Sequence, residues 1–196
     1  SVAHPIFIAL KDTIDNFSIN IEYLEMLIDG MEDDLFPTNY KTFEEVRSYC
    51  FKVASTVGLV LIEIYGYSNP DAREHAEEMG IFLQMVNILR DIQEDYNSLG
   101  RNYFPNVDIS RMTEEDKKTI EDDIEKDFNE GFDGILGLPK KARFGVYLAY
   151  TYYYGLFKKI KSLPPTKIMK ERIRIPNYGK YYLFAQSYLR HNIGVL

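Results

Sequence analysis

Apolar and polar positions along the 196-residue chain recur with the period of an α-helix, and the pattern divides it into seven predicted helices. Pro5 stands where a first-turn proline belongs, and Ile6, Leu10, Ile14 and Phe17 follow at helical spacing. A second helix is predicted from Asn20 to Asp34, with Tyr23, Leu24, Leu27, Ile28 and Met31 as its apolar stripe. Phe36-Pro37-Thr38-Asn39 predicts a turn. Thr42-Phe-Glu-Glu45 reads as a capping box opening a third helix that runs to about Tyr65. Asn69 as N-cap and Pro70 at the first position start a fourth, which continues to about Asn97. Gly100 to Met112 is a predicted loop, and Thr113 with Asp116 caps a fifth, acid-rich helix through Asp133 whose charges read as a solvated face. Pro139 opens a sixth helix, Pro164-Pro165 interrupts the chain, and Pro176 starts a last helix to about Asn192. No alternating strand pattern and no repeat is present. The expectation is one all-α domain over residues 1–196, an antiparallel bundle with the third and fourth helices joined by a short turn.

The fourth helix carries the candidate chemistry. Asn87, Asp91 and Asp95 recur every fourth residue and so stand in a row one turn apart. Two carboxylates and an amide oxygen form an all-oxygen ligand set suited to a hard cation such as Mg²⁺. Mg²⁺ usually takes only one or two carboxylates and completes its shell with water and substrate phosphate, which favours a diphosphate-handling site. Acids at helical spacing are more often a solvated face. Here Met79, Ile81, Phe82, Leu83, Met85, Val86, Ile88 and Leu89 make the helix apolar nearly all round just before them. Such a helix is buried, and buried carboxylates need partners or a metal. Gln84 lies one turn before Asn87, and Arg90 sits beside Asp91.

Composition narrows the function classes. A net charge of −7 argues against a nucleic-acid partner. The single cysteine, Cys50, excludes a disulfide framework or thiolate zinc site and fits a reducing, cytoplasmic compartment. His4, His75 and His191 lack ligand spacing and read as surface or satisfied histidines. No unbroken apolar run reaches the ~18 residues of a membrane span. From Leu156 onward Lys158, Lys159, Lys161, Lys167, Lys170, Arg172, Arg174, Lys180 and Arg190 face a single acid, Glu171, with isoleucines interleaved. That segment reads as a solvated flank, a peripheral contact with an anionic membrane surface, or a lid that screens diphosphate.

The stretch Leu83-Gln-Met-Val-Asn87-Ile-Leu-Arg90-Asp91-Ile-Gln-Glu-Asp95, followed by Gly100-Arg101-Asn-Tyr103-Phe-Pro105, resembles the second aspartate-rich motif of the squalene/phytoene synthase family. Tyr49-Cys-Phe-Lys-Val53-Ala54-Ser-Thr-Val57-Gly58 is similar to that family's Y-x-x-x-V-A-x-x-V-G segment. Gly30-Met-Glu-Asp-Asp34-Leu35 fits its G-M-x-x-D-L, and Tyr153 to Ile160 resembles its late tyrosine helix. The resemblance implies the isoprenoid synthase fold and head-to-head joining of two farnesyl or geranylgeranyl diphosphates through a cyclopropylcarbinyl diphosphate. It implies Mg²⁺, or Mn²⁺ in its place, on Asn87, Asp91 and Asp95 with Gln84 beside them. It places diphosphate on Arg90 and Arg101, an isoprenoid channel along Val53, Ala54, Val57 and Gly58, and Tyr49, Tyr103 and Tyr153 at the reacting centre. From spacing alone, the small residues Ala54, Ser55 and Gly58 serve close helix packing or ligand room equally well. Absence of a G-x-G-x-x-G fingerprint leaves reduction with NADPH undecided. The family's first acidic motif has no counterpart ahead of His4, and Asp29-to-Asp33 matches the later G-M-x-x-D-L element instead. The chain is therefore expected to match the C-terminal two thirds of a synthase, lacking its front helices and inactive alone. A non-catalytic relative acting as a binding or assembly protein is the alternative, against which the intact acidic row stands.

Overall fold

Two consecutive helical rods organise the molecule. The computed structural model describes residues 4–36 and 39–194, so that Pro37 and Thr38 of the predicted turn lie outside the described residues. The first rod comprises α3 (Phe43–Cys50), a π-helical segment (Phe51–Ser55) and α4 (Thr56–Tyr65). The second is α5 (Ala72–Leu99), 28 residues long. Around them stand α1 (Pro5–Phe17), α2 (Ile21–Asp33), α6 (Glu114–Ile124), α7 (Phe128–Gly137), α8 (Lys140–Lys161), the single turn α9 (Pro165–Ile168) and α10 (Asn177–Asn192). Among the described residues the only β-pairing is an isolated bridge, Asn39 to Asn102. The all-α expectation holds.

Side-chain caps set most boundaries. Thr42 Oγ1 accepts the Glu45 amide at 3.2 Å, while the Glu45 carboxylate accepts the Lys41 amide at 2.6 Å, one residue before the capping-box position. The rod then winds wider than predicted over Phe51–Ser55, a π turn that places one extra residue in the circuit. α5 starts at Ala72 rather than at Pro70, because Asn69 Oδ1 accepts the Asp71 amide at 3.1 Å and holds an Asx turn ahead of the helix. Its far end closes on Gly100 at φ 64°, a left-handed C-cap.

The predicted fifth helix divides. Its Thr113–Asp116 capping box is present, but the helix ends at Ile124 and resumes as α7 after a 3₁₀ turn at Glu125–Asp127. Nor is its charge run wholly solvated. Lys117, Glu121 and Asp123 are buried because each has a partner: Lys117 pairs with Glu121 and donates to the Lys161 carbonyl, and Asp123 takes Arg47 at 3.3 Å and Lys126 at 2.7 Å.

The core gathers on α5, whose Phe82, Met85, Val86 and Leu89 are fully buried against α3, α6 and α8. α1 buries no residue. Phe43–Tyr65 is, among the described residues, the one helical span long and apolar enough by length and composition to cross a membrane, with a mean hydropathy of 1.3. No unbroken apolar run makes it so, and the rod packs between α2 and α5, which accounts for its composition.

Candidate functional site

Two glycines bring the π segment into place. A Cβ at Gly30 of α2 would stand 2.7 Å from Val53 Cγ1 and 2.8 Å from Lys52 Cβ. One at Gly80 of α5 would stand 2.5 Å from Ser55 Cα. The segment is therefore gripped between two backbones, and Ser55 closes the second contact by donating to the Glu77 carbonyl at 2.6 Å. This resolves the two readings of the small residues. Ser55 serves close packing and Ala54 lines an apolar cavity of about 300 Å³, while Gly58 does both, since it lines the cavity and a Cβ there would stand 3.1 Å from the Ala76 carbonyl oxygen of α5. Val57 lines it too and is 40% exposed, so α4 forms an open lip. Val53 does not line the cavity; it packs toward α2 at Gly30. The remaining wall comes from α5, through Met79 and Leu83, and from α7 and α8.

The polar row begins one turn beyond Leu83. Asn87 Nδ2 donates to Gln84 Oε1 at 3.3 Å, leaving Asn87 Oδ1 buried without a hydrogen-bond partner. Asp91 is held by two guanidinium groups. Arg90 reaches it at 2.9 and 2.5 Å, and Arg172, from the strand-free segment between α9 and α10, reaches it at 2.7 Å. Burial pushes the Asp95 carboxyl up to about 6, the nearby Asp91 charge adds to the rise, and Arg101 opposes it. Among the described residues no three His, Cys, Asp or Glu side chains surround a common point. The row offers two carboxylates and one orphaned amide oxygen. That donor set fits a hard cation that completes its shell from water and phosphate.

The aromatic part of the site splits in two. Tyr49 on α3 donates to Asp34 Oδ1 at 2.9 Å. Arg101 donates to the Tyr103 hydroxyl at 3.3 Å, pairs with the Asp34 carboxylate at 3.4 Å and bonds the Asp34 carbonyl. The Tyr49 and Tyr103 rings lie 5.5 Å apart and both pack on Tyr40, at 5.8 Å each. Burial raises the Tyr49 hydroxyl above its ordinary range, and the nearby Tyr103 and Asp34 reinforce this. Tyr153 on α8 stands apart from that cluster, beside Arg90 and against the Tyr152 ring.

Of the sequence-predicted residues, Asp95 lies near Arg101, Arg101 near Tyr49 and Tyr103, and Arg90 near Asp91 and Tyr153, while Ala54, Val57 and Gly58 line the separate apolar cavity and Val53 goes into packing. Three residues escaped assignment. Asp34 had a signal, the last acid of G-M-x-x-D-L. Arg172 was named only as one cation of the basic segment, for which a diphosphate-screening lid was one of three readings, and Tyr40 had no signal at all. His75 and His191 also depart from expectation, each keeping a buried Nδ1 without a partner.

The squalene/phytoene synthase family model matches residues 1–179. The 15-cis-phytoene synthase of Synechocystis sp. is 30% identical over 95% of this chain, and phytoene synthase 1, chloroplastic, of Solanum lycopersicum is 32% identical over 79%. The chain spans 63% and 42% of those two proteins. A dehydrosqualene synthase crystal structure superposes with a TM-score of 0.79 at 22% identity, covering 95% of this chain and 71% of that one. A squalene synthase structure from Alicyclobacillus acidocaldarius gives 0.75 at 24% identity over 82% and 66%. With the all-α fold in common and the family pattern running through the site just described, this chain belongs to the squalene/phytoene synthase family.

Proposed function

We propose that the chain carries the second-aspartate half of a prenyltransferase site that joins two prenyl diphosphates head to head and releases diphosphate. The observation that carries this reading is the buried, unpartnered Asn87 Oδ1 in register with Asp91 and Asp95, one helical turn beyond Leu83 of the apolar cavity. A buried acceptor left unpaired is destabilising, and a ligand supplies the missing partner. In this reading Asn87, Asp91 and Asp95 hold Mg²⁺, or Mn²⁺. Bound there, the ion would neutralise charge on a departing diphosphate. Arg90, Arg101 and Arg172 supply the cationic donors around it. Arg172, now on Asp91, has a guanidinium able to turn to a phosphate oxygen instead. The cavity walled by Ala54, Val57, Gly58 and Leu83 shelters a hydrocarbon chain and keeps water from the reacting carbon. Tyr49 and Tyr103, fixed by Asp34 and Arg101, keep their protons at neutral pH and present neutral hydroxyls.

A purely structural relative would have no use for the orphaned amide oxygen, which is why the enzymatic reading is preferred. Titration of the chain with inorganic diphosphate and Mg²⁺ by calorimetry tests it. Binding should require both together and weaken sharply in Asp91→Asn. In an active form, turnover of farnesyl or geranylgeranyl diphosphate should fall by at least ~10²-fold in that variant. Unchanged binding and turnover at saturating Mg²⁺ would overturn the assignment.

A further inference from the structure

Asp91 is, among the described residues, the one member of the polar row whose side-chain oxygens are fully taken. Arg90 donates from Nε to Oδ1 at 2.9 Å and from Nη2 to Oδ2 at 2.5 Å. Arg172 faces the same pair, with Nε 2.7 Å from Oδ1 and Nη2 donating to Oδ2 at 3.1 Å. An ionised carboxylate offers about four acceptor positions on its two oxygens. Two guanidinium forks that each span both oxygens use those positions up, and no lone pair is left for a cation. Its neighbours in the row are not so held. Asn87 Oδ1 has no partner, and Arg101 acts on Asp95 through its charge alone.

The two forks differ in how they are tethered. Arg90 is the residue before Asp91 on α5 and stays beside it. Arg172 comes from 81 residues further along the chain, and its side chain is 38% exposed. Its other acid, Glu94, stands 3.7 Å away and is 59% exposed, which makes a weak hold. The backbone around Arg172 is pinned, because Ile168, Ile173 and Ile175 are buried and Lys159 donates to the Arg174 carbonyl at 2.7 Å. The freedom at this position therefore belongs to the long side chain and not to the segment that carries it.

We propose that Arg172 gates the cation site: in the free chain its fork seals Asp91, and a phosphate oxygen reaching the row draws it off, so that Asp91 ligates a cation only when diphosphate is present. The proposal rests on the reading that this row takes diphosphate together with its cation. A guanidinium pairs with phosphate in the same two-pronged manner as with carboxylate, and diphosphate carries the greater charge. Transfer of Arg172 from Asp91 to phosphate exchanges one charged pair for another. A bare cation would have to expel the guanidinium with nothing to receive it. Cation and diphosphate affinities are thus coupled through one side chain, and each raises the other by the same factor. When diphosphate departs, Arg172 returns to Asp91 and favours release of the cation.

Two titrations of the full chain test the gate. One follows Mn²⁺ alone through the paramagnetic resonance signal of the free ion, and the other follows the preformed Mg²⁺–diphosphate complex by calorimetry. Arg172→Gln should bind Mn²⁺ alone at least about fivefold more tightly than wild type, and the complex at least about fivefold more weakly. That crossing of signs is the signature. Lys170→Gln makes the same change of charge two residues away and should shift neither affinity by more than about twofold. Nitrogen-15 spectra of the wild-type chain supply a readout that needs no variant, and they decide if Arg172→Gln fails to fold. The Arg172 Nε resonance should move when Mg²⁺ and diphosphate are added together and stay in place with Mg²⁺ alone. Unchanged Mn²⁺ binding in Arg172→Gln, an equal gain in Lys170→Gln, or displacement of the resonance by Mg²⁺ alone would overturn the gate. So would tighter binding of both probes, since Arg172 would then block the row without passing to phosphate. In each of these cases the diphosphate reading stands as long as wild type binds the complex and Asp91→Asn does not. If wild type does not bind the complex, both readings fall.

Discussion

Asn87 and Asp95 show how the proposed binding site opposes stability. With Asn87 Oδ1 buried and unpaired, Asn87→Leu should raise the stability of the ligand-free chain by about 1 kcal/mol. The same change should abolish Mg²⁺-dependent diphosphate binding. Thermal melts and calorimetry on one preparation check both. Asp95 gives a pH dependence of determined sign. Its folded pKa of about 6 lies above the ordinary carboxylate value of 3.8, so folding favours the protonated form. That stabilising contribution is complete below about pH 4 and is lost as pH rises through about 6. Asp95→Asn should therefore match wild type near pH 4 and exceed it by pH 7.5, as read from urea midpoints at the two pH values. The row itself was legible from sequence because its spacing coincides with the helical repeat. Its partners were not: Arg172 meets Asp91 across 81 residues and Arg101 meets Asp34 across 67, distances at which no local pattern speaks.

At the scale of elements, the grip on the π segment is the most exacting contact. Gly80→Ala would set a methyl 2.5 Å from Ser55 Cα, backbone that cannot yield as a flexible side chain would. We expect a loss of about 1–3 kcal/mol or more, measurable by urea denaturation, whereas Gly145→Ala, with open space at its Cβ, should be near neutral or stabilising. Sequence periodicity located every long helix and failed at the joins. The start of α5 slipped because Asn69 takes an Asx turn where an N-cap was expected. The break after Ile124 was hidden by a charge run that a helix could equally have carried, its buried Asp123 depending on Arg47 from a distant helix. The π turn left no mark, since Phe51–Ser55 fits an α pattern as readily, and only the facing glycines Gly30 and Gly80 hint that the backbone there is approached closely.

Over the whole molecule the basic C-terminal segment is only partly free. Arg172 is committed to Asp91, Lys161 to Glu125 and Lys167 to Glu171. Within it α10 turns Tyr178, Tyr181 and Tyr182 outward, each at least 66% exposed. Amphipathic rings next to lysines suit a membrane interface, and at about 1 kcal/mol for each basic residue near a charged surface a few free cations suffice at low salt. The chain should co-sediment with anionic vesicles and release as salt rises; equal binding to neutral vesicles would exclude this mode. The long-span ties Arg101–Asp34, Arg172–Asp91 and Arg47–Asp123 have a consequence in time as well. Helices and their near neighbours form from local contacts, while contacts that close long loops are delayed by entropy. The three ties then form after the rate-limiting step of folding. Asp34→Ala should leave the refolding rate in stopped-flow traces almost untouched and speed unfolding severalfold. What the tie between α2 and the loop after α5 governs is how long an assembled site lasts, and hardly how soon it appears.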